Sequence, residues 1–178
     1  MDSFENRCVV IADIPAAFLS ADWPSNYPDC HIKFEGVMVE MLCQIRPEYR
    51  KLIRYSKTKS GQLRKMLVGK VTKAIYGTLL GAIQFYKKIR GVLIDMGFKT
   101  NGYDECTFNK MIDGSQCTIQ IHVDDLKLSF VDQGELDKII DSLNEIFGSD
   151  GDMLTASYGK VHEYLGMTID WSTEGVVV

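Results

Sequence analysis

The chain has 178 residues, 46% of them apolar, and a formal net charge of −4. That apolar share supports a real core and excludes wholesale disorder, and no apolar run approaches the roughly 20 residues that span a bilayer. Residues 1–7 are polar and partly acidic, unlike a secretory signal, and the five scattered cysteines (Cys8, Cys30, Cys43, Cys106, Cys117) read as reduced thiols of an intracellular protein.

In chain order, residues 8–12 form a short continuous apolar run, expected as a buried central strand that ends at Asp13 before Ile14-Pro15 enforces extended backbone. A loop follows over residues 23–28, and Cys30-His31 offers two metal-ligating side chains without evident partners. The signal over 37–53 is mixed, with a short helix over 37–43 that Pro47 interrupts. Residues 56–62 read as a basic hairpin tip and 66–71 as a strand. Leu79, Ile83, Tyr86, Ile89 or Arg90, and Leu93 recur at near-helical spacing, predicting a long helix over 78–96 that Gly97 stops. Strands are expected over 106–112 and 116–123, joined by Asp113-Gly114-Ser115, and again over 126–130. Leu136, Ile139, Ile140, Leu143, Ile146 and Phe147 mark a second amphipathic helix closed by Gly148. A terminal strand pair is expected from 161–170 and 176–178. This order predicts an α+β fold, an antiparallel sheet with helices packed on one face and the other face open to a ligand.

The charge is unevenly spread. Thirteen of the twenty basic residues fall between Arg46 and Arg90, opposed there by Glu48 alone, so that segment carries +12 and the remainder −16. Such a strip suits a phosphate-rich polyanion, and a solvated lysine-rich loop fits the same residues.

The most informative stretch is His122-Val123-Asp124-Asp125, at the joint of two alternating apolar runs. On the first strand Ile119, Ile121 and Val123 are expected on the core side, and Gln120, His122 and Asp124 on the wet side. Two carboxylates at such a tip attract a hard divalent cation. Asp13, at the end of its strand, could reach the same rim. Three carboxylates from neighbouring strands can hold two Mg²⁺ ions about 3.5–4 Å apart, an arrangement suited to phosphoryl transfer, and oxygen donors favour Mg²⁺ or Mn²⁺ over zinc. Taken singly, Asp13 also fits a capping residue, and Asp124-Asp125 an ordinary polar turn.

Five blocks carry a family resemblance. Asp13-Ile14-Pro15-Ala16-Ala17-Phe18-Leu19 resembles the first catalytic motif of the reverse transcriptases of Ty1/copia-type retrotransposons, and His122-Val123-Asp124-Asp125 resembles their Tyr-Val-Asp-Asp box. Lys73-Ala74-Ile75-Tyr76-Gly77 resembles their Lys-Ala-Leu-Tyr-Gly segment. Gly97-Phe98 with Tyr103-Asp104-Glu105-Cys106-Thr107-Phe108 resembles the stretch before the Asp-Asp hairpin. Tyr164-Leu165-Gly166-Met167-Thr168-Ile169 resembles the closing Phe-Leu-Gly-Ile strand. The blocks keep the family's order and cover most of the chain.

The resemblance implies a single polymerase palm with partial fingers, with residues 46–73 as a basic insert. The upstream fingers, thumb, RNase H and integrase are expected to lie outside the chain, and the isolated chain is expected to have weak or no activity. The implied activity is RNA-directed DNA synthesis within a retrotransposon Pol polyprotein. Asp13, Asp124 and Asp125 would be the catalytic, metal-binding residues, with Mg²⁺ (Mn²⁺ as the alternative) as cofactor. Ile14, Phe18 and Gly77 would contact the nucleotide, and Phe18 matches the aromatic that excludes a ribose 2′-hydroxyl; a plain core Phe fits that position equally. His122, Leu165, Gly166, Lys70 and Lys73 would contact template or primer. The implied partners are an RNA/DNA template-primer, deoxynucleoside triphosphates and the other Pol segments, with no membrane, in cytoplasm (including virus-like particles) and nucleus. The sequence departs from the family at His122, which replaces Tyr. It departs again at Thr78-Leu79-Leu80-Gly81-Ala82-Ile83, where the family has polar Lys, Gln and Arg. These departures also suit an inactive palm remnant that binds nucleic acid or a protein partner. A metal-dependent nuclease could use the same carboxylates.

Overall fold

A computed structural model describes residues 7–148, 152–170 and 172. The chain opens with β1 (Cys8–Asp13), β2 (His31–Glu35), α1 (Val37–Ile45), β3 (Arg54–Lys57) and β4 (Leu63–Lys70). Then come α2 (Leu79–Asp95), β5 (Lys99–Thr100), β6 (Thr107–Ile112), β7 (Ser115–His122) and β8 (Asp125–Phe130). α3 (Gln133–Phe147), β9 (Thr155–Tyr158), β10 (Val161–Tyr164) and β11 (Met167–Asp170) complete the described residues.

The fold is α+β. Its largest sheet runs β5-β6-β7-β8-β1-β9 with every neighbouring pair antiparallel. Phe85, Ile89 and Leu93 of α2 and Leu136, Ile140 and Leu143 of α3 share one buried cluster with Val10, Ala12, Ile119, Ile121, Leu126 and Leu128. The strand members are alternate residues, so both helices cover the same face of the sheet. Burial of each such side chain contributes roughly 1.5–3 kcal/mol, which makes this face the main source of stability. At the start of β1 both faces are covered, since successive residues Val9 and Val10 are buried, and the strand becomes half-open by Asp13.

The inward face of α2 differs from the expected one. Thr78 caps the helix, its Oγ1 accepting the Gly81 N–H at 3.1 Å. From that start Gly81, Phe85, Ile89 and Leu93 turn inward at i, i+4 spacing, while Leu79 is 80% exposed and Ile83 39%. The same holds at the end of α3, where Phe147 is buried and Ile146 faces outward. Val123 is likewise half exposed, because regular pairing stops at His122↔Asp125 and the alternation ends with it.

Residues 46–73 do not stand apart from the rest. β4 is the centre of a second sheet, β2-β4-β3, so its partner β2 lies upstream of the basic segment. α1 covers this sheet through Val39 and Cys43, which pack on Leu67, Phe34 and Ile53. Leu165-Gly166 is also not strand interior. β10 and β11 pair Tyr164↔Met167, and Leu165 (φ 52°) and Gly166 (φ 75°) form a two-residue turn with both residues left-handed. Residues 176–178 lie outside the described residues. Asp113 (φ 48°) and Gly114 (φ 82°) make the same kind of turn between β6 and β7.

Gly81 is required by space. A Cβ there would sit 2.5 Å from the Ile75 carbonyl oxygen and 2.7 Å from Thr78 Oγ1. Gly81→Ala should gain about 1 kcal/mol in helix propensity but lose about 1–3 kcal/mol to overpacking against fixed backbone and about 1 kcal/mol in the cap. The expected net result is a destabilisation of about 1 kcal/mol or more, read as an earlier urea midpoint. An unchanged or later midpoint would contradict the close approach.

Candidate active site at the aspartate rim

The core face determines where the carboxylates stand. With Ala12 and Leu126 paired and pointing inward, the next pair, Asp13↔Asp125, points to the opposite face. Asp125 also pairs with His122, and Asp13 with Thr155, so His122, Asp125, Asp13 and Thr155 form one row across four strands. Asp124 lies in the two-residue loop of the β7–β8 hairpin. Its backbone carbonyl accepts the Ile14 N–H at 3.1 Å, which stitches the hairpin tip to the exit of β1.

That tip is strained. Val123 takes φ 58° at the first loop position, which a two-residue hairpin ordinarily fills with glycine. A β-branched side chain in this region is an outlier costing on the order of 1–3 kcal/mol, and such strain collects at functional sites.

The three carboxylates interact. Burial first, then the negative charges of Asp124 and Asp125, push the Asp13 carboxyl above its ordinary value. Among the described residues no three His, Cys, Asp or Glu side chains form a gathered cage for a metal ion. The aspartates line one rim instead. They offer only carboxylate oxygens, which fit a hard divalent cation and not zinc.

Two tyrosines meet this rim, and the sequence motifs had not singled out either as a site residue. The Tyr76 hydroxyl donates to Asp124 Oδ2 at 3.2 Å, and its ring stacks on Phe18 with centroids 4.2 Å apart and planes 2° from parallel. Burial and then the Asp124 charge hold the Tyr76 phenol above its ordinary value, so it stays a donor. Tyr164, just before the β10–β11 turn, has a buried hydroxyl with no hydrogen-bond partner among the described residues. Its phenol is raised by burial and then by the charge of Asp125.

The other expected contact residues divide. His122 is exposed on the row, and Gly77 is exposed with φ 80°, turning the chain between Tyr76 and the Thr78 cap. Leu165 and Gly166 are exposed at their turn. Ile14 and Phe18 do not face the rim. Ile14 is buried with its N–H engaged by Asp124, and Phe18 lies between the rings of Tyr76 and Phe85. Lys70 and Lys73 are not bare cations. Lys70 Nζ lies 2.7 Å from Asp29 Oδ1, and Lys73 Nζ 2.6 Å from Asp22 Oδ1. Lys65 is similarly paired with Glu40 at 2.6 Å. These acids lie outside the basic segment in sequence, so a running charge count does not anticipate the neutralisation. Arg50, Lys51, Arg54, Lys57 and Lys59 carry no ion pair among the described residues.

Fold and rim together define an α+β protein with carboxylates at the ends of two interior strands of its main sheet. No protein-family model matches the chain, and no curated protein matches it. Among solved structures, the chain is similar to an apo telomerase of Candida tropicalis truncated from its C-terminal domain, with 11% identity and a TM-score of 0.44. The match covers 96% of this chain and 35% of the telomerase chain, so this chain spans about a third of that one.

Because the folded protein raises the Asp13 carboxyl, ionised Asp13 destabilises the fold above that raised value. The penalty disappears as pH falls to the ordinary 3.8 and below. In EDTA at pH 7, Asp13→Asn should therefore raise the melting temperature by roughly 1–2 °C, less than the ~2–4 °C expected for a full kcal/mol, since water screens a group this exposed. The gain should vanish below pH 3.8. Thermal melts at both pH values check this, and a lower melting temperature at pH 7 would contradict it.

Proposed function

We propose that the chain is the palm-centred part of a Ty1/copia-type reverse transcriptase, acting in the cell with the other segments of a Pol polyprotein. The reaction is template-directed addition of deoxynucleotides to a primer 3′-hydroxyl. One observation supports this above all: the register that pairs Asp13 with Asp125, with Asp124 tied to Ile14, unites the two aspartate motifs at one rim. Asp13, Asp124 and Asp125 would hold Mg²⁺ or Mn²⁺. When bound, such ions lower the pKa of a hydroxyl nucleophile and neutralise charge on the leaving oxygens.

The chain's own groups do the rest. The row of His122, Asp125 and Asp13 presents an open face to the primer end and the triphosphate. Leu165 and Gly166 at the β10–β11 turn are further candidates for primer contact. With Phe18 buried, the aromatic surface offered beside Asp124 is Tyr76, 49% exposed. Backbone phosphates of the template-primer would meet the cations around the small sheet, above all Arg50, Lys51, Arg54 and Lys57, in preference to the ion-paired Lys70 and Lys73.

Primer extension on an RNA template with Mg²⁺ or Mn²⁺ tests this reading. Extension is expected to be weak in the isolated chain and at least ~100-fold lower in Asp124→Asn, a loss of about 2.7 kcal/mol in transition-state stabilisation. An undiminished Asp124→Asn variant would remove the metal assignment.

A second reading, an inactive palm that binds nucleic acid, is favoured by exposed Leu79 and Ile83 at positions where the family carries polar contacts. Binding without any metal-dependent extension would support it. Under both readings affinity falls with salt, and Arg54→Ala should reduce the log–log salt slope by about 1. Titration of a labelled oligonucleotide at several salt concentrations measures this, and an unchanged slope would exclude Arg54 from the interface.

A further inference from the structure

Asp124 differs from its two neighbours in how it is held. Asp13 and Asp125 belong to paired strands, whose ladder orients their side chains. Asp124 lies in the loop, where its backbone carbonyl is tied to Ile14 but no ladder orients its carboxylate. The Tyr76 hydroxyl donates to Oδ2 of this carboxylate at 3.2 Å. Tyr76 is itself fixed by its parallel stack on Phe18, and the Phe18 ring lies 5.6 Å from that of Phe85 in the core of α2. A chain of contacts thus runs from the buried core through Phe85, Phe18 and Tyr76 to a single carboxylate oxygen at the rim.

We propose that Tyr76 is a positioning residue for Asp124. It holds Oδ2 and thereby leaves Oδ1 oriented for a divalent cation. A carboxylate restrained in this way has less rotamer freedom to lose when a ligand arrives, and hydrogen-bond partners of metal-binding carboxylates typically contribute ~10–100-fold to metal affinity. The geometry also explains why the ring and the hydroxyl have separate duties. The ring completes the cover over Phe18, and the hydroxyl alone reaches the site. The inference rests on the reading of the aspartates as a metal site.

Mn²⁺ binding, followed by the paramagnetic resonance of the free ion, tests it without any need for polymerisation. The wild-type protein, Tyr76→Phe and Asp124→Asn are compared. Tyr76→Phe keeps the ring stacked on Phe18, so its melting temperature should stay within about 2 °C of wild type, while its Kd for Mn²⁺ rises about tenfold. An unchanged or tighter Kd in Tyr76→Phe, with binding lost in Asp124→Asn, would overturn the role of Tyr76 and leave the metal site standing. Absence of Mn²⁺ binding by the wild-type protein, or full binding by Asp124→Asn, would overturn the metal site and the role of Tyr76 with it.

Discussion

The antiparallel pairing of β1 with β8 is the constraint on which the rest of the structure depends. Val10 faces Leu128 and Ala12 faces Leu126, and all four are buried under α2 and α3. A strand has a side-chain period of two, so a slip of one residue would turn Asp13 into the apolar core and expose the valine and alanine. An unpaired carboxylate buried there would cost several kcal/mol. The hydrophobic face therefore does more than stabilise the sheet. It forces Asp13 and Asp125, far apart in the chain, onto one row.

Charge is arranged by the same logic at two scales. At the rim, burial and then the neighbouring charges of Asp124 and Asp125 raise the Asp13 carboxyl. The Tyr76 hydroxyl donates to Asp124 at the same rim. Around the small sheet, opposite charges from separate segments meet. Asp22, Asp29 and Glu40 pair with Lys73, Lys70 and Lys65, three of the thirteen basic residues of the strip. Such exposed pairs contribute little to stability.

Local pattern revealed much of the fold. Alternation over residues 118–123 and 126–130 located β7, β8 and the turn between them, and the near-helical recurrence of Ile89 and Leu93 located α2. The patterns failed where one residue's role depends on a distant partner. β2, with the mixed sequence His31-Ile32-Lys33-Phe34-Glu35, has little periodicity and forms against β4. The inward face of α2 follows from the Thr78 cap and the tight approach of Gly81 to Ile75, which rotates Leu79 and Ile83 outward. Phe18 sits in a motif whose spacing fits an exposed role, yet the rings of Tyr76 and Phe85 cover it.

The order of residues alone established an α+β chain with two aspartate motifs at strand ends, because strand period and hairpin length are local properties of the backbone. Only the folded chain could establish that Asp13 opposes Asp125, that the Tyr76 hydroxyl reaches Asp124, and that Lys70 and Lys73 are already paired. Each of these depends on which strands become neighbours, and that choice is made by the burial of the whole apolar face.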